Sequence, residues 1–129
     1  MRIHVRSMQQ TLRVCSVSGE LDAYTAPELR DALDDELKDE HANLIVDLSD
    51  LGYLDSTGLG ILIGTAKKCR QAGGDLAVVC ARENLLKIFQ ISGTQEILNV
   101  MPTLEEAVAR LEQLRTGRAA NGAEQGKGS

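Results

Sequence analysis

Apolar and polar positions alternate at the start of the chain. Ile3 and Val5 are interleaved with His4 and Arg6, the period of a strand with one wet face. "TLRVCSV" predicts a second strand, reached through a brief polar connection that favours a hairpin. "GELDAY" then leads out of the sheet. Thr25 with Glu28 has the spacing of a capping box, and Pro27 suits a first helical turn. Leu29, Leu33 and Leu37 follow at helical spacing, with Asp31, Asp34, Asp35, Glu36, Lys38 and Asp39 on the solvated side. "NLIVDL" is nearly continuously apolar, the pattern of a strand covered on both faces.

After "SDLGYLDSTG" a helix is predicted through about Ala72, with Leu59, Leu62, Ile63, Ala66 and Cys69 as its buried stripe. Gly73 and Gly74 supply its stop. "DLAVVC" predicts a strand, "ENLLKIFQIS" a short helix ended by Gly93, and "EILNV" a last strand. Thr103 and Glu106 form another capping box ahead of a helix with Leu104, Ala107, Val108, Leu111 and Leu114 on one side. From Thr116 the chain has no apolar period and is rich in Gly and Ala, which predicts a disordered tail. The expected organisation is one α/β domain over residues 1–115 and a tail over 116–129. The order ββαβαβαβα implies a mixed, mostly parallel sheet with an antiparallel N-terminal edge hairpin.

Composition narrows the function. A chain of 129 residues suits one core, and with 2% aromatic residues that core is aliphatic. The net charge of −5 argues against nucleic-acid binding, which needs a basic face. No apolar run approaches membrane-spanning length, and "MRIHVRSMQQ" has no signal-peptide core, so the expected location is cytoplasmic. Cys15, Cys69 and Cys80 are odd in number, lack CxxC spacing and lie in apolar stretches, as buried small hydrophobes do. His4 and His41 read as surface histidines.

No complete enzyme constellation is present. There is no GxxxxGK[ST] loop, no GxGxxG after a strand and no GxSxG around Ser56. The candidate chemistry lies in Asp55-Ser56-Thr57-Gly58. Asp, Ser and Thr are favoured helix caps, and Gly58 eases a tight entry. The same position puts a hydroxyl at a helix N-terminus, where a phosphate would meet free N–H groups and the positive end of the helix dipole.

Four segments together, "GELDAYTAPELRDAL", "LIVDLSDLGYLDSTGLGILIG", "AGGDLAVVC" and "LLKIFQISG", resemble the bacterial anti-sigma-factor antagonists of the STAS domain family. The resemblance runs from about Ile3 to Leu114. It implies that Ser56 is the phosphorylated serine and that Thr57 is a second hydroxyl not usually the acceptor. Asp22 falls where the family has an acidic residue beside that loop, so the implied partner-binding set is Asp22, Asp55, Ser56, Thr57 and Gly58. The implied partner is an anti-sigma factor that is also a serine kinase. Unphosphorylated antagonist binds it and frees the sigma factor, phosphorylated antagonist lets go, and a PP2C-type phosphatase resets the switch. Such partner switches serve stress response and sporulation. The resemblance implies no cofactor or metal on this chain, since ATP is used by the kinase, and no catalysis by the chain itself.

Two other readings compete. A receiver domain would be phosphorylated on an aspartate, for which Asp47 is the candidate. Against it, no acidic pair ends an early strand of this chain and no lysine follows the last strand, "EILNV". A ligand-binding STAS module is the other.

Overall fold

The computed structural model describes residues 1–9, 12–39 and 41–128, and of residues 9 and 118–128 the backbone alone. β1 (Arg2–Gln9) and β2 (Leu12–Leu21) form the expected antiparallel hairpin, paired from Arg2 opposite Ser18 to Gln9 opposite Leu12 with a register shift between Ser7 and Gln9. Its connection, residues 10 and 11, lies outside the described residues. β3 (Asn43–Asp47), β5 (Asp75–Val79) and β6 (Val100–Met101) continue the sheet in parallel, in the order β1-β2-β3-β5-β6.

Each inner strand faces two cores. On one side Cys15, Val17, Leu44, Val46, Leu76 and Val78 pack under α1 (Ala26–Lys38), α2 (Ser56–Gln71) and α3 (Glu83–Ser92). On the other, Leu12, Val14, Ile45, Ala77 and Val79 pack under α4 (Leu104–Gly128). Helices on both faces explain the unbroken apolar runs of β3 and β5, because neither face needs a polar residue.

Four local features depart from the sequence reading. A short strand, β4 (Leu51–Leu54), lies in the segment read as a loop. It pairs with the far end of β2, Glu20 opposite Tyr53 and Leu21 opposite Leu54, so β2 runs on to Leu21 instead of leaving the sheet. Leu51 and Leu54 are buried and the two residues between them exposed, which is too short a pattern to register as a strand.

The capping box at Thr25 does not form. Thr25 is already helical (φ −97°, ψ −22°), and its hydroxyl donates to Glu20 O at 2.9 Å instead of capping α1. Thr103 does cap α4, its Oγ1 accepting the Glu106 N–H at 3.2 Å. "EILNV" is not a strand: Leu98 N donates to Thr94 O and Val100 N to Gln95 O in a helical turn. Asn99 then reverses the chain at φ +48°, a conformation asparagine tolerates, leaving only Val100 and Met101 to pair with β5.

Across the residues read as the tail, the α4 backbone is helical to Gly128. Ser129 lies outside the described residues.

The three cysteines are free and buried, as their apolar settings predict. Burial pushes the Cys15 and Cys69 thiols up to about 12, with Glu36 and Asp75 respectively adding to the effect. Cys80 is raised for the same reason of burial. Thiolate-selective disulfide reagents at about pH 8, near the ordinary thiol value, should therefore leave the native chain unmodified and titrate all three thiols only after denaturation. A native thiol that reacts at the rate of a free one would contradict that packing. The sign of the pH effect follows: the contribution of Cys15 and Cys69 is fully present below about 9 and is lost as pH rises toward 12.

Candidate functional site

The parallel pairing of β4 with the end of β2 carries the chain to the C-terminal edge of the sheet, where α2 begins. Asp55 is extended (φ −107°, ψ −177°) and caps α2, its Oδ1 accepting the Gly58 N–H at 3.0 Å. Its own N–H donates to Leu21 O at 3.2 Å, and Leu59 N donates to Asp55 O at 3.0 Å. The loop is thus tied to β2 by backbone and to α2 by side chain.

Because Asp55 takes the cap, neither following hydroxyl is needed for it. Ser56 and Thr57 occupy the first two helical positions and both are exposed. A helix leaves its first N–H groups without partners inside the helix. Asp55 occupies those of Gly58 and Leu59, so the N–H groups of Ser56 and Thr57 are the ones left beside the two hydroxyls.

Gly58 has a different role from the one expected. Its backbone has ordinary helical handedness, so no special turn demands glycine. A Cβ there would lie 2.6 Å from Leu21 Cγ and 2.8 Å from Leu54 Cδ1. Glycine lets the first turn of α2 sit directly on the ends of β2 and β4. Gly60, two positions on, has nothing within 4 Å of such an atom.

Asp22 lies at the same sheet end, directly after Leu21. Its Oδ1 accepts the Tyr24 N–H at 2.9 Å, the Thr25 N–H at 3.1 Å and the Thr25 hydroxyl at 3.2 Å. In return Thr25 Oγ1 accepts the Asp22 N–H at 2.9 Å. The Thr25 N–H, then that of Tyr24 and the Thr25 hydroxyl, hold the Asp22 carboxyl below the usual aspartate value. The geometry makes Asp22 the organiser of its loop, while Oδ2 enters none of these bonds. Asp22→Asn keeps an acceptor at Oδ1 and removes the charge. It should lower the thermal midpoint less than Asp22→Ala does, and any loss of partner affinity beyond what that fall explains then belongs to the charge. A melting point that falls as far as that of Asp22→Ala would assign the residue to the fold alone. With its carboxyl depressed, Asp22 stabilises the loop above the ordinary aspartate range, and that contribution fades as pH falls through the lowered value. Acid titration of the Tyr24 and Thr25 amide resonances should show this; their indifference to acid would contradict it.

The Asp47 alternative fares differently. Asp47 Oδ1 accepts the Ser49 N–H at 2.9 Å and the Ser49 hydroxyl, which closes a turn after β3. Its surroundings are Arg2, His4, Ser16, Ser18 and Asp50 around a cavity of about 260 Å³. Two of those neighbours are basic, whereas a phosphorylated aspartate needs acidic neighbours to hold its divalent cation.

A possible metal cluster sits at the other end of α1. Glu36, Asp39 and His41 bring one ligand atom each within 4.8 Å of one another. A cation is already there: Arg13 Nη2 lies 3.1 Å from His41 Nε2 and Arg13 Nε 3.6 Å from Glu36 Oε2. The guanidinium fills the role a metal would have. His41, expected on the surface, has a side chain only 15% exposed because it bridges β2 and α1. Sequence spacing gave no sign of this, since Arg13 and His41 are 28 residues apart.

Residues 5–107 match the STAS domain family. The "Anti-sigma-B factor antagonist" of Bacillus subtilis is 35% identical over 106 residues, which cover 82% of this chain and 95% of that protein. That of Listeria monocytogenes is 38% identical over 84 residues, 65% of this chain and 74% of its own. Among solved structures, an anti-sigma factor antagonist from Mycobacterium paratuberculosis superposes with a TM-score of 0.78 at 30% identity, covering 86% of this chain and 93% of that one. Family match, sheet order and the α2-start loop agree, and the chain belongs to the STAS domain family.

Proposed function

We propose that this protein is an anti-sigma-factor antagonist whose hold on its partner is set by phosphorylation of Ser56. The observation that carries the reading is the Ser56 hydroxyl itself. It is exposed at the first position of α2 and released from capping by Asp55. It lies in a chain whose relatives, at 35% and 38% identity, are anti-sigma-B factor antagonists. A phosphate on Ser56 would lie against the Ser56 and Thr57 N–H groups and the positive end of the α2 dipole, so the fold can carry the charge. Unphosphorylated protein binds the anti-sigma factor and the sigma factor is released. The anti-sigma factor, acting as a serine kinase with its own ATP, phosphorylates Ser56 and the complex dissociates. A PP2C-type phosphatase restores the hydroxyl. The chain is the substrate in this cycle, needs no cofactor of its own and works in the cytoplasm. Among the described residues no helix is long and apolar enough to cross a membrane.

The test is intact mass before and after incubation with the anti-sigma factor and magnesium ATP. One added phosphate, mapped to Ser56, supports the reading. No incorporation by a kinase that the protein binds, or incorporation elsewhere with Ser56 bare, overturns it.

A further inference from the structure

Aromatic residues are scarce here, and their placement is uneven. Phe89 is fully buried on the inner face of α3. The two tyrosines are on the surface, Tyr24 with 95% of its area exposed and Tyr53 with 48%. Both flank the sheet end that presents Ser56. Tyr53 pairs with Glu20 two residues before Asp55. Tyr24 follows Leu21, whose carbonyl takes the Asp55 N–H and whose side chain abuts Gly58. Leaving a ring in water forgoes the gain of burying it, and tyrosine is among the residues that dominate binding energy at protein interfaces.

The Tyr24 loop is also pre-formed. The Tyr24 N–H is held by Asp22 Oδ1, the Thr25 hydroxyl by Glu20 O, and the Ala26 N–H by Asp22 O at 2.8 Å. An anchor on such a loop loses little conformational freedom on docking.

Charge identifies the occupant. Residues 18–28 and 49–60, which flank Ser56, contain Glu20, Asp22, Glu28, Asp50 and Asp55 and no lysine or arginine; Arg82, at the start of α3 on the same sheet edge, leaves the balance acidic. Two copies of such a face repel one another, and anionic lipid or nucleic acid is repelled too. The complementary surface is a protein patch with apolar slots for two rings and a basic rim.

We propose that Tyr24 and Tyr53 are the aromatic anchors by which the chain docks its anti-sigma factor, through apolar slots rimmed by basic groups; this rests on the antagonist reading above. Tyr24 is the larger contributor, being the more exposed before binding and therefore having the more area to bury.

The test is calorimetry against the purified anti-sigma factor of the same organism, with thermal melts of each variant. Tyr24→Ala should lose affinity about tenfold or more, with an unchanged melting point, and Tyr53→Ala should lose less. Tyr24→Phe, which keeps the ring, should stay within about threefold of wild type. Ile91→Ala is the control. Ile91 is 87% exposed near the end of α3, which begins at the Ser56 edge of the sheet and runs back to the opposite edge, so its loss should change nothing. Wild-type protein that binds no anti-sigma factor overturns the antagonist reading and the anchors with it. Wild-type binding that both tyrosine-to-alanine variants retain in full overturns the anchors alone. Self-association of the wild type that Tyr24→Ala abolishes would assign the surface to a second copy and likewise overturn the proposal.

Discussion

Phosphorylated protein is expected to bind the anti-sigma factor a hundredfold or more weakly than the unphosphorylated form, with its fold intact. Phosphate adds roughly −1.5 to −2 charges at Ser56, next to the Asp55 carboxylate. An interface formed around the exposed, neutral hydroxyl must then bury that charge or exclude it. A buried charge without a partner costs about 3–5 kcal/mol, which sets the scale of the affinity loss. The fold is a different matter, because the Ser56 and Thr57 N–H groups and the α2 dipole favour an anion there. Ser56→Ala should bind like wild type and accept no phosphate, keeping the sigma factor free. Ser56→Glu should stay folded and bind poorly, though one carboxylate replaces a phosphate only in part. Thr57→Ala should still be phosphorylated, since Asp55 and not Thr57 caps the helix. Calorimetry with phosphosite mapping on these variants checks the set. Equal affinity of phosphorylated and unphosphorylated protein, or phosphate on Thr57 with Ser56 bare, would sink the switch.

The parts of this molecule legible in the sequence are those governed by repeating patterns. β3 and β5 could be read because burial on both faces removes polar residues, and the two cores share that burial between alternate side chains. α2 could be read because its stripe from Leu59 to Cys69 spans several turns. What escaped is set by single contacts between distant residues. β4 exists because the end of β2 offers it a partner, and "LGYL" alone does not announce that. Asn99 halts the strand expected over "EILNV" through its φ of +48° and is held by bonds to Leu76 O and Arg110. Thr25 carries a capping-box pattern, yet Asp22 and Glu20 claim its hydroxyl first. The candidate loop was legible as a motif but not as a division of labour. Four adjacent residues, all suited to capping or tight turns, proved to be one cap, two exposed hydroxyls and one contact point.

That contact point yields the second large effect. Gly58→Ala is expected to destabilise the protein by about 1–3 kcal/mol, the usual range for overpacking a filled site, and to lower the melting point by several degrees. The added methyl would lie 2.6 Å from Leu21 Cγ and 2.8 Å from Leu54 Cδ1, both on buried side chains at the ends of paired strands. Leu21 Cγ is a branch point, not a free end, so it cannot swing aside without moving the whole side chain. Relief comes most easily from lifting the first turn of α2 off the sheet. That would lengthen the Asp55 N–H bond to Leu21 O and shift Ser56 with it. Gly58→Ala should therefore slow phosphorylation at Ser56 as well as lower stability. Gly60→Ala is the matched contrast. It lies in the same helix, meets nothing within 4 Å and gains the helix preference of alanine, about 1 kcal/mol. Its melting point should rise while that of Gly58→Ala falls. If both changes raise it, the close approach of α2 to Leu21 and Leu54 is not what Gly58 provides.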